Sequence, residues 1–341
     1  MAIPTRTLGK NGPSVPALGF GLMSIGGIYG AAPSNADRLA LLDHAHAIGS
    51  RFWDTADVYF DSEDAIGEWI RQNPDKRKDI FLATKFALQM DPATGAQTVR
   101  SDPEYVKEAC EKSLKRLGTD YIDLYYCHRV DGKTPIEKTV EAMVELKNER
   151  KIHYIGLSEV SASTLRRAHA VHPISAVQVE YSPFALDIED PKVGVLQTAR
   201  ELGITIVAYS PMGRGLLTGR YNSYEDVAQN PFLSMMPRFS KDNFPKILEL
   251  IKKIRTTAAQ KGCTVGQLTM AWMLSRGDDI IPIPGTRSIK YLDENFATLQ
   301  VKLSPEDYKE LTEAVMATTL DGARYPAGFP DNYELGETPA L

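Results

Sequence analysis

The chain predicts an α/β protein folded as a (β/α)8 TIM barrel, and three observations carry that expectation. Eight short runs rich in β-branched and aromatic residues recur along the sequence, at 17–21, 51–54, 80–84, 123–127, 153–157, 176–179, 205–208 and 280–283. The longer stretches between them carry apolar residues at helical spacing, the pattern of βαβ crossovers and parallel pairing. An open doubly wound sheet would need a nucleotide fingerprint, and the Gly19-Phe20-Gly21-Leu22-Met23-Ser24 cluster falls short of G-x-G-x-x-G. All 341 residues are accordingly expected in one barrel domain, 1–341.

Taken in order, residues 1–16 predict an N-terminal β-hairpin that caps the barrel, because Asn11-Gly12 is a strong turn signal between two short strands. Helices are expected at 36–49, 103–117 and 135–150. In the second, Val106, Ala109, Cys110, Ser113, Leu114 and Leu117 share a face, and Gly118 supplies a helix stop. Residues 210–245, after the seventh strand, are polar and rich in Pro and Gly. That is too long for an idle connector and predicts a loop over the barrel mouth that clasps a cofactor. A helix follows at 289–299. The tail 321–341, with Pro326, Pro330 and Pro339, is expected to be irregular and to reach the same mouth.

Composition narrows the function classes. A net charge of −5 without a dense basic run argues against nucleic acid or an anionic membrane as partner. Neither a secretory leader nor a run of about 18 apolar residues is visible. Three widely spaced cysteines, Cys110, Cys127 and Cys263, fit a reducing compartment, so a cytoplasmic location is expected. The sequence is silent on oligomeric state.

In barrels of this kind, chemistry sits where strands end and βα loops begin. Those positions hold Asp54, Lys85 and His128, with Tyr59 five residues beyond Asp54 on the loop leaving the second strand. Each alone reads more readily as a cap, a solvated charge or packing; together at matched strand ends they form a coherent set. A carbonyl accepting hydride becomes an alkoxide and needs a proton. A phenol such as Tyr59 holds one at neutral pH and gives it up if its anion is stabilised. Lys85 provides that stabilisation, Asp54 holds Lys85, and His128 orients the substrate oxygen.

The segment Phe52-Trp53-Asp54-Thr55-Ala56-Asp57-Val58-Tyr59 resembles the signature of the aldo-keto reductase superfamily. Thr84-Lys85, Tyr126-Cys127-His128-Arg129-Val130-Asp131, Ile155-Gly156-Leu157-Ser158-Glu159 and Gln178-Val179-Glu180-Tyr181-Ser182 resemble its further segments in order. So do the run from Ala208 to Gly219, Ile281-Pro282-Ile283-Pro284-Gly285-Thr286-Arg287 and Leu292-Asp293-Glu294-Asn295. The look is of the fungal and microbial YakC-type members that use NADP, some relatives of which reduce pyridoxal. The resemblance implies an oxidoreductase that uses NADPH/NADP+ to reduce an aldehyde or ketone, with Asp54, Tyr59, Lys85 and His128 as its catalytic residues. It also implies that Ser158, Glu159 and Gln178 meet the nicotinamide carboxamide and that Tyr209 stacks under the ring. At Glu159 the chain departs from the Asn of many relatives, and a carboxylate cannot donate as an amide does.

At the phosphate end, Ser210, Pro211, Met212, Gly213, Gly215 and Leu217 offer small residues and backbone N–H groups, with Arg214 as charge partner. Gly285, Thr286 and Arg287 precede a helix whose N-terminus is an anion site, and Arg287 there favours a 2′-phosphate. Gly21, Met23, Ile283, Tyr291, Glu294 and Asn295 complete the expected cofactor contacts, the last two as adenine contacts by resemblance. Met23, Ile25, Tyr29, Phe60, Phe86 and Arg129 lie on mouth-side loops and are expected to line the substrate pocket. No metal site is expected, since His44 and His46 fall on a predicted helix where i and i+2 face apart. A non-catalytic NADPH-binding redox sensor or channel-type subunit on the same fold is the alternative.

Overall fold

The computed structural model describes residues 3–28, 32–90, 97–329 and 333–341. Its chain opens with β1 (Thr5–Thr7) and β2 (Ser14–Pro16), an antiparallel hairpin pairing Thr5 with Pro16 and Thr7 with Ser14. Asn11 takes a left-handed backbone at the turn (φ 64°) and Leu8 N–H closes it on Pro13 O at 2.9 Å, the geometry an Asn-Gly turn favours.

Eight parallel strands follow: β3 (Phe20–Gly21), β4 (Phe52–Asp54), β5 (Phe81–Phe86), β8 (Ile122–Cys127), β9 (Ile152–Ser158), β10 (Ala176–Glu180), β11 (Thr205–Tyr209) and β12 (Ile280–Pro282), neighbouring one another in that order. The sheet closes on itself beyond β12. Gly19 N–H donates to Pro282 O at 2.9 Å, Gly21 N–H donates to Pro284 O at 3.2 Å, and Gly21 bridges Gly285 in parallel. A glycine is required at Gly21, because a Cβ there would lie 2.8 Å from Ile283 O. Closure removes the two sheet edges and brings the first and last strand ends together.

The connecting helices are α1 (Asn35–Ala47), α2 (Ser62–Gln72), α3 (Pro103–Leu117), α4 (Ile136–Asn148), α5 (Ala162–Val171) and α6 (Val195–Leu202), each packed on the next. Asp102 and Ser161 cap α3 and α5 through their side chains, and Gly118 ends α3 in the left-handed region. Beyond β11 the stretch 210–245 is not an irregular loop. It holds a short 3-10 segment (Gly213–Thr218), α7 (Tyr224–Ala228), α8 (Pro231–Ser234) and a second 3-10 turn (Pro237–Phe239). Buried Leu216, Leu217, Val227, Leu233 and Phe239 hold it down. The chain then runs through α9 (Phe244–Lys261), α10 (Val265–Leu274), α11 (Ile289–Ala297) and α12 (Pro305–Met316), with α11 meeting α1 to complete the outer ring. One addition escaped the sequence pattern, a small hairpin of β6 (Leu88–Met90) and β7 (Gln97–Val99) after β5. Among the described residues no helix is long and apolar enough to cross a membrane.

Two apolar regions result. The larger lies between strands and helices. The smaller fills the barrel interior with Phe52, Ala83, Leu124, Tyr126, Ala176, Val207, Ile281 and Ile283, and Leu8 and Val15 of the hairpin close it from below. Gly9 N–H donates to Thr205 Oγ1 at 2.7 Å, which ties the hairpin to the lower end of β11. Gly156 leaves the room that Tyr126 fills, since a Cβ there would approach that ring to 2.4 Å. Leu8 is fully buried, so Leu8→Ala is expected to open a cavity under the barrel and cost about 2–5 kcal/mol, read as a lowered urea midpoint with unchanged slope.

Candidate active site

Strand side chains alternate between faces with period two, and the register makes that alternation build a floor and a ceiling. The interior residues Phe52, Ala83, Leu124, Ala176 and Val207 are apolar. Two residues further along their strands, on the same inward face, stand Asp54, Lys85, Tyr126, Gln178 and Tyr209. Ser158, paired with Gln178, belongs to the same polar layer. The upper end of the barrel is thus polar because of where each strand stops.

Lys85 is fully buried, and its ammonium donates to Asp54 Oδ1 at 2.5 Å and to Thr55 O at 2.7 Å. Burial draws the lysine below its usual range while Asp54 opposes that effect. Burial likewise raises the Asp54 carboxyl, and Lys85 and Gln178 pull it back. Gln178 Nε2 donates to the second oxygen, Asp54 Oδ2, at 2.8 Å. The Lys85 ammonium lies 5.2 Å from the centre of the Tyr59 ring, and the Tyr59 and His128 rings meet edge to face at 5.8 Å. All four residues read from strand ends therefore surround one small volume. Burial first, then Arg129 and Lys85, press the His128 imidazole well below its ordinary pKa, so it is neutral at physiological pH. Its Nδ1 and the Tyr126 hydroxyl are buried with no hydrogen-bond partner among the described residues.

The Tyr59 loop is braced on three sides. Asp57 N–H donates to Lys85 O at 3.0 Å, prolonging the β4–β5 pairing. Arg116 of α3 donates to the Asp57 carbonyl at 2.9 Å, to the Phe60 carbonyl, and to Glu63 at 3.0 Å. Gly26 packs against the Tyr59 carbonyl so closely that a Cβ would come within 2.1 Å.

Glu159 departs from its expected role. The residue is fully buried with a left-handed backbone (φ 50°), and its carboxylate is saturated. Oε1 accepts from Arg324 Nη1 at 2.9 Å, Tyr209 Oη at 2.9 Å and the Glu180 N–H at 3.0 Å. Oε2 accepts from Arg324 Nη2 at 2.7 Å and the Leu335 N–H at 3.3 Å. No lone pair is left for a nicotinamide carboxamide; Glu159 instead pins the C-terminal tail across the mouth. Gly336 N–H donates to Glu159 O at 2.7 Å and Ser161 N–H to Gly336 O at 3.1 Å. Burial raises the Glu159 carboxyl, but Arg324, with help from Arg129 and the Glu180 N–H, holds the group down at about 2.

Arg214 is likewise committed. It is buried against Glu180 at 3.0 Å, with its guanidinium 4.8 Å from the Tyr325 ring, rather than held ready for a phosphate. In the turns on either side of it, the N–H groups of Gly213, Gly215 and Leu217 are spent on Ser210 and Met212 carbonyls. Ser210 itself has a left-handed backbone (φ 52°). Pro211 and Met212 lie in the same turn, between Tyr209 and the buried Gly213. At the far end of this strip, Ser288 supplies no side-chain cap to α11, and Arg287 and Tyr291 are exposed beside that helix start. Thr286 Oγ1 accepts the Ser288 N–H at 3.1 Å. Glu294 accepts from Thr264 Oγ1 at 2.8 Å, and Asn295 follows it half-buried.

Of the expected pocket residues, Ile25 and Phe86 are fully buried in the core between sheet and helices, Phe86 stacked on Tyr125 at 4.9 Å. They have no surface to offer a substrate. Met23 is half-buried in the turn after β3, Phe60 is exposed, and Tyr29 lies outside the described residues. Arg129 is buried at the mouth and does not pair with Asp131, which instead receives N–H groups from Ser101, Lys133 and Thr134. His44 and His46 bind Asp293 and Asp79 separately. Sequence reasoning missed Glu180 at the end of β10 and Arg324, Tyr325 and Tyr333, which roof the site from the tail. A buried Glu159 with no basic neighbour in its own segment was the one available sign of a distant cation.

The aldo/keto reductase family model matches residues 17–316. The chain is 52% identical over 343 residues to aldo-keto reductase str7 of Strobilurus tenacellus, spanning 98% of this chain and 99% of that one. It is 51% identical over 330 residues to aldo-keto reductase yakc [NADP(+)] of Schizosaccharomyces pombe, spanning 96% of each. The solved glycerol dehydrogenase AKR11B4 from Gluconobacter oxydans superposes with a TM-score of 0.81 at 26% identity, over 95% of this chain and 98% of that one.

Because Glu159 titrates at about 2 in the fold against an ordinary value of 4.5, its stabilisation is complete above pH 4.5 and lost as the pH falls towards 2. Glu159→Gln should lack that acid-sensitive component. Arg324→Met leaves the carboxylate buried without its partner and is expected to cost about 3–5 kcal/mol. Urea unfolding at pH 7 and at intervals between pH 4.5 and 2, with limited proteolysis of 321–341, reads the two effects; unchanged stability and an equally protected tail would dismiss the pinning role.

Proposed function

The chain belongs to the aldo/keto reductase family, and on that premise we propose that it reduces aldehydes or ketones to alcohols with NADPH, Tyr59 giving the proton. The observation that carries the reading is the convergence of Tyr59, His128 and the buried Lys85–Asp54 pair on one volume at the polar end of the barrel. Aromatic and small aldehydes, pyridoxal among them, are the proposed substrate class.

NADPH supplies the hydride when bound. The residues present suit it. Tyr209 ends β11 with its hydroxyl fixed by Glu159, leaving a ring to support a nicotinamide. Ser158 and Gln178 offer a hydroxyl and an amide at the same level. Gly21 lies under the closing strand where no side chain fits, with Met23 and Ile283 beside it. Arg287, next to the uncapped start of α11, suits a 2′-phosphate, and Tyr291, Glu294 and Asn295 border the adenine end.

His128, neutral, donates one hydrogen bond to the substrate oxygen and fixes it beside the Tyr59 hydroxyl. As negative charge develops on that oxygen, Tyr59 transfers its proton. The nearby Lys85 ammonium stabilises the resulting phenolate in a site where water does not screen it. Asp54 keeps Lys85 in position, and Gln178 keeps Asp54 in position.

Tyr59→Phe is expected to lower kcat by roughly 10²–10⁴-fold, the range for a lost general acid, with NADPH affinity by fluorescence titration little changed. Retention of kcat against pyridoxal and 4-nitrobenzaldehyde would sink the Tyr59 assignment. Arg287→Ala should raise the Kd for NADPH by about tenfold or more, the worth of a charge-assisted contact, and leave NADH nearly unaffected. Equal losses for both would refute the 2′-phosphate role.

A further inference from the structure

Among the described residues, Arg129 is a buried guanidinium at the mouth whose hydrogen-bonding capacity is largely unspent. Arg214 is paired with Glu180 and Arg324 with Glu159 and Glu334. Arg129 is equally buried, yet among the described residues it forms no ion pair with any carboxylate. Its Nη1 donates to two uncharged oxygens, the His128 carbonyl at 2.6 Å and Ser158 Oγ at 3.3 Å. Its Nε is buried with no partner, and Nη2 donates to none of the described residues. Glu159 acts on it only through space, since both Glu159 oxygens are already occupied.

The unspent edge has a shape. Nε and Nη2 form the side of a guanidinium that takes a carboxylate with two parallel hydrogen bonds. The Tyr333 ring lies against the guanidinium at 4.5 Å, so a ligand engaging the remaining donors must come to them in the guanidinium plane. Position points the same way. Arg129 follows His128 directly, and its Nη1 reaches both the His128 carbonyl and Ser158 Oγ in the polar layer at the strand ends, so the cation borders the volume where the carbonyl is reduced. Glu159 already balances the charge through space, but the Nε donor is left unmet, and an in-plane carboxylate satisfies that donor where a neutral, apolar ligand does not.

We propose that Arg129 is an anion anchor in the substrate pocket, and that the enzyme favours carbonyl substrates bearing a carboxylate over their neutral counterparts. This rests on the reductase reading above and deepens it. The reacting carbonyl lies between Tyr59 and His128 while the carboxylate takes the Nε–Nη2 edge of Arg129. Tyr333 orders the guanidinium from above.

The test compares 4-carboxybenzaldehyde with methyl 4-formylbenzoate, two aldehydes differing in that charge, by NADPH oxidation at pH 7.5. The acid should be favoured in kcat/KM by about 10- to 100-fold, the worth of hydrogen bonds to a charged group, chiefly through KM. Arg129→Gln should bring the ratio close to one, and Arg129→Lys should keep part of it as a point charge. Equal turnover of acid and ester by the unaltered enzyme would overturn the proposal without needing any variant. So would a preference that survives Arg129→Gln. A ratio unaltered in Arg129→Gln alongside weakened NADPH binding, read by fluorescence titration, would give the edge to the cofactor and likewise overturn it. Turnover of neither aldehyde, nor of the neutral panel above, would count against the reductase reading itself.

Discussion

A lysine ammonium withdrawn from water is the constraint around which the upper barrel is organised. Ion burial costs several kcal/mol unless geometry and hydrogen bonds return it. Here Asp54 at 2.5 Å, the Thr55 carbonyl at 2.7 Å and the amide of Gln178 on the far side of Asp54 form a closed set of partners. With Lys85 they come from three strands and the loop that begins at Thr55, and apart from the adjacent Asp54 and Thr55 they are distant in sequence. Only a closed sheet in fixed register brings them together, and the contacts between Gly19–Gly21 and the segment after β12 complete that closure. The apolar floor below the pair excludes water, which is why its field reaches Tyr59 with little screening.

A second buried charge set governs the opposite side of the mouth. Glu159 and Glu180 end adjacent strands, and two arginines from outside the barrel, Arg214 and Arg324, come down on them. The tail that carries Arg324 also brings Tyr325 to the Tyr209 hydroxyl at 3.2 Å and Tyr333 to the Arg129 guanidinium. One carboxylate thus fixes the Tyr209 ring, the roof above it and the environment of the neighbouring cation. That coupling explains how a tail distant in sequence shapes the pocket.

The four strand-end residues were legible because two rules suffice to find them. Short β-runs alternating with helical segments give the barrel, and barrel chemistry concentrates at strand ends. Gly118 and the Asn11-Gly12 turn were equally plain, since each obeys a local backbone preference. The stretch 210–245 reads as a long loop over the mouth, and its Pro and Gly content signals the turns; the short helices capped by Ser223 and Asn230 within it, seated on the main core by Leu217, Leu233 and Phe239, were not legible. A place on mouth-side loops is the sequence's reason for expecting Ile25 and Phe86 in the pocket. The outward register at Phe86 and the packing of the turn at Ile25 put both into the helix-facing core instead.

What the sequence by itself determined is whatever depends on neighbours within a few residues: the strands, helices and turns, their order, and the chemical types at strand ends. Pairing across the mouth was decided only by the tertiary structure. Whether Glu159 meets a cofactor or Arg324, whether Arg214 faces a phosphate or Glu180, and whether Arg129 has a partner at all depend on distances between segments up to 165 residues apart. A charged side chain takes whichever opposite charge the fold presents within a few ångströms, because in a dry interior Coulomb energy falls on proximity in space. Sequence order carries no record of that proximity until the barrel closes and the tail lies down across it.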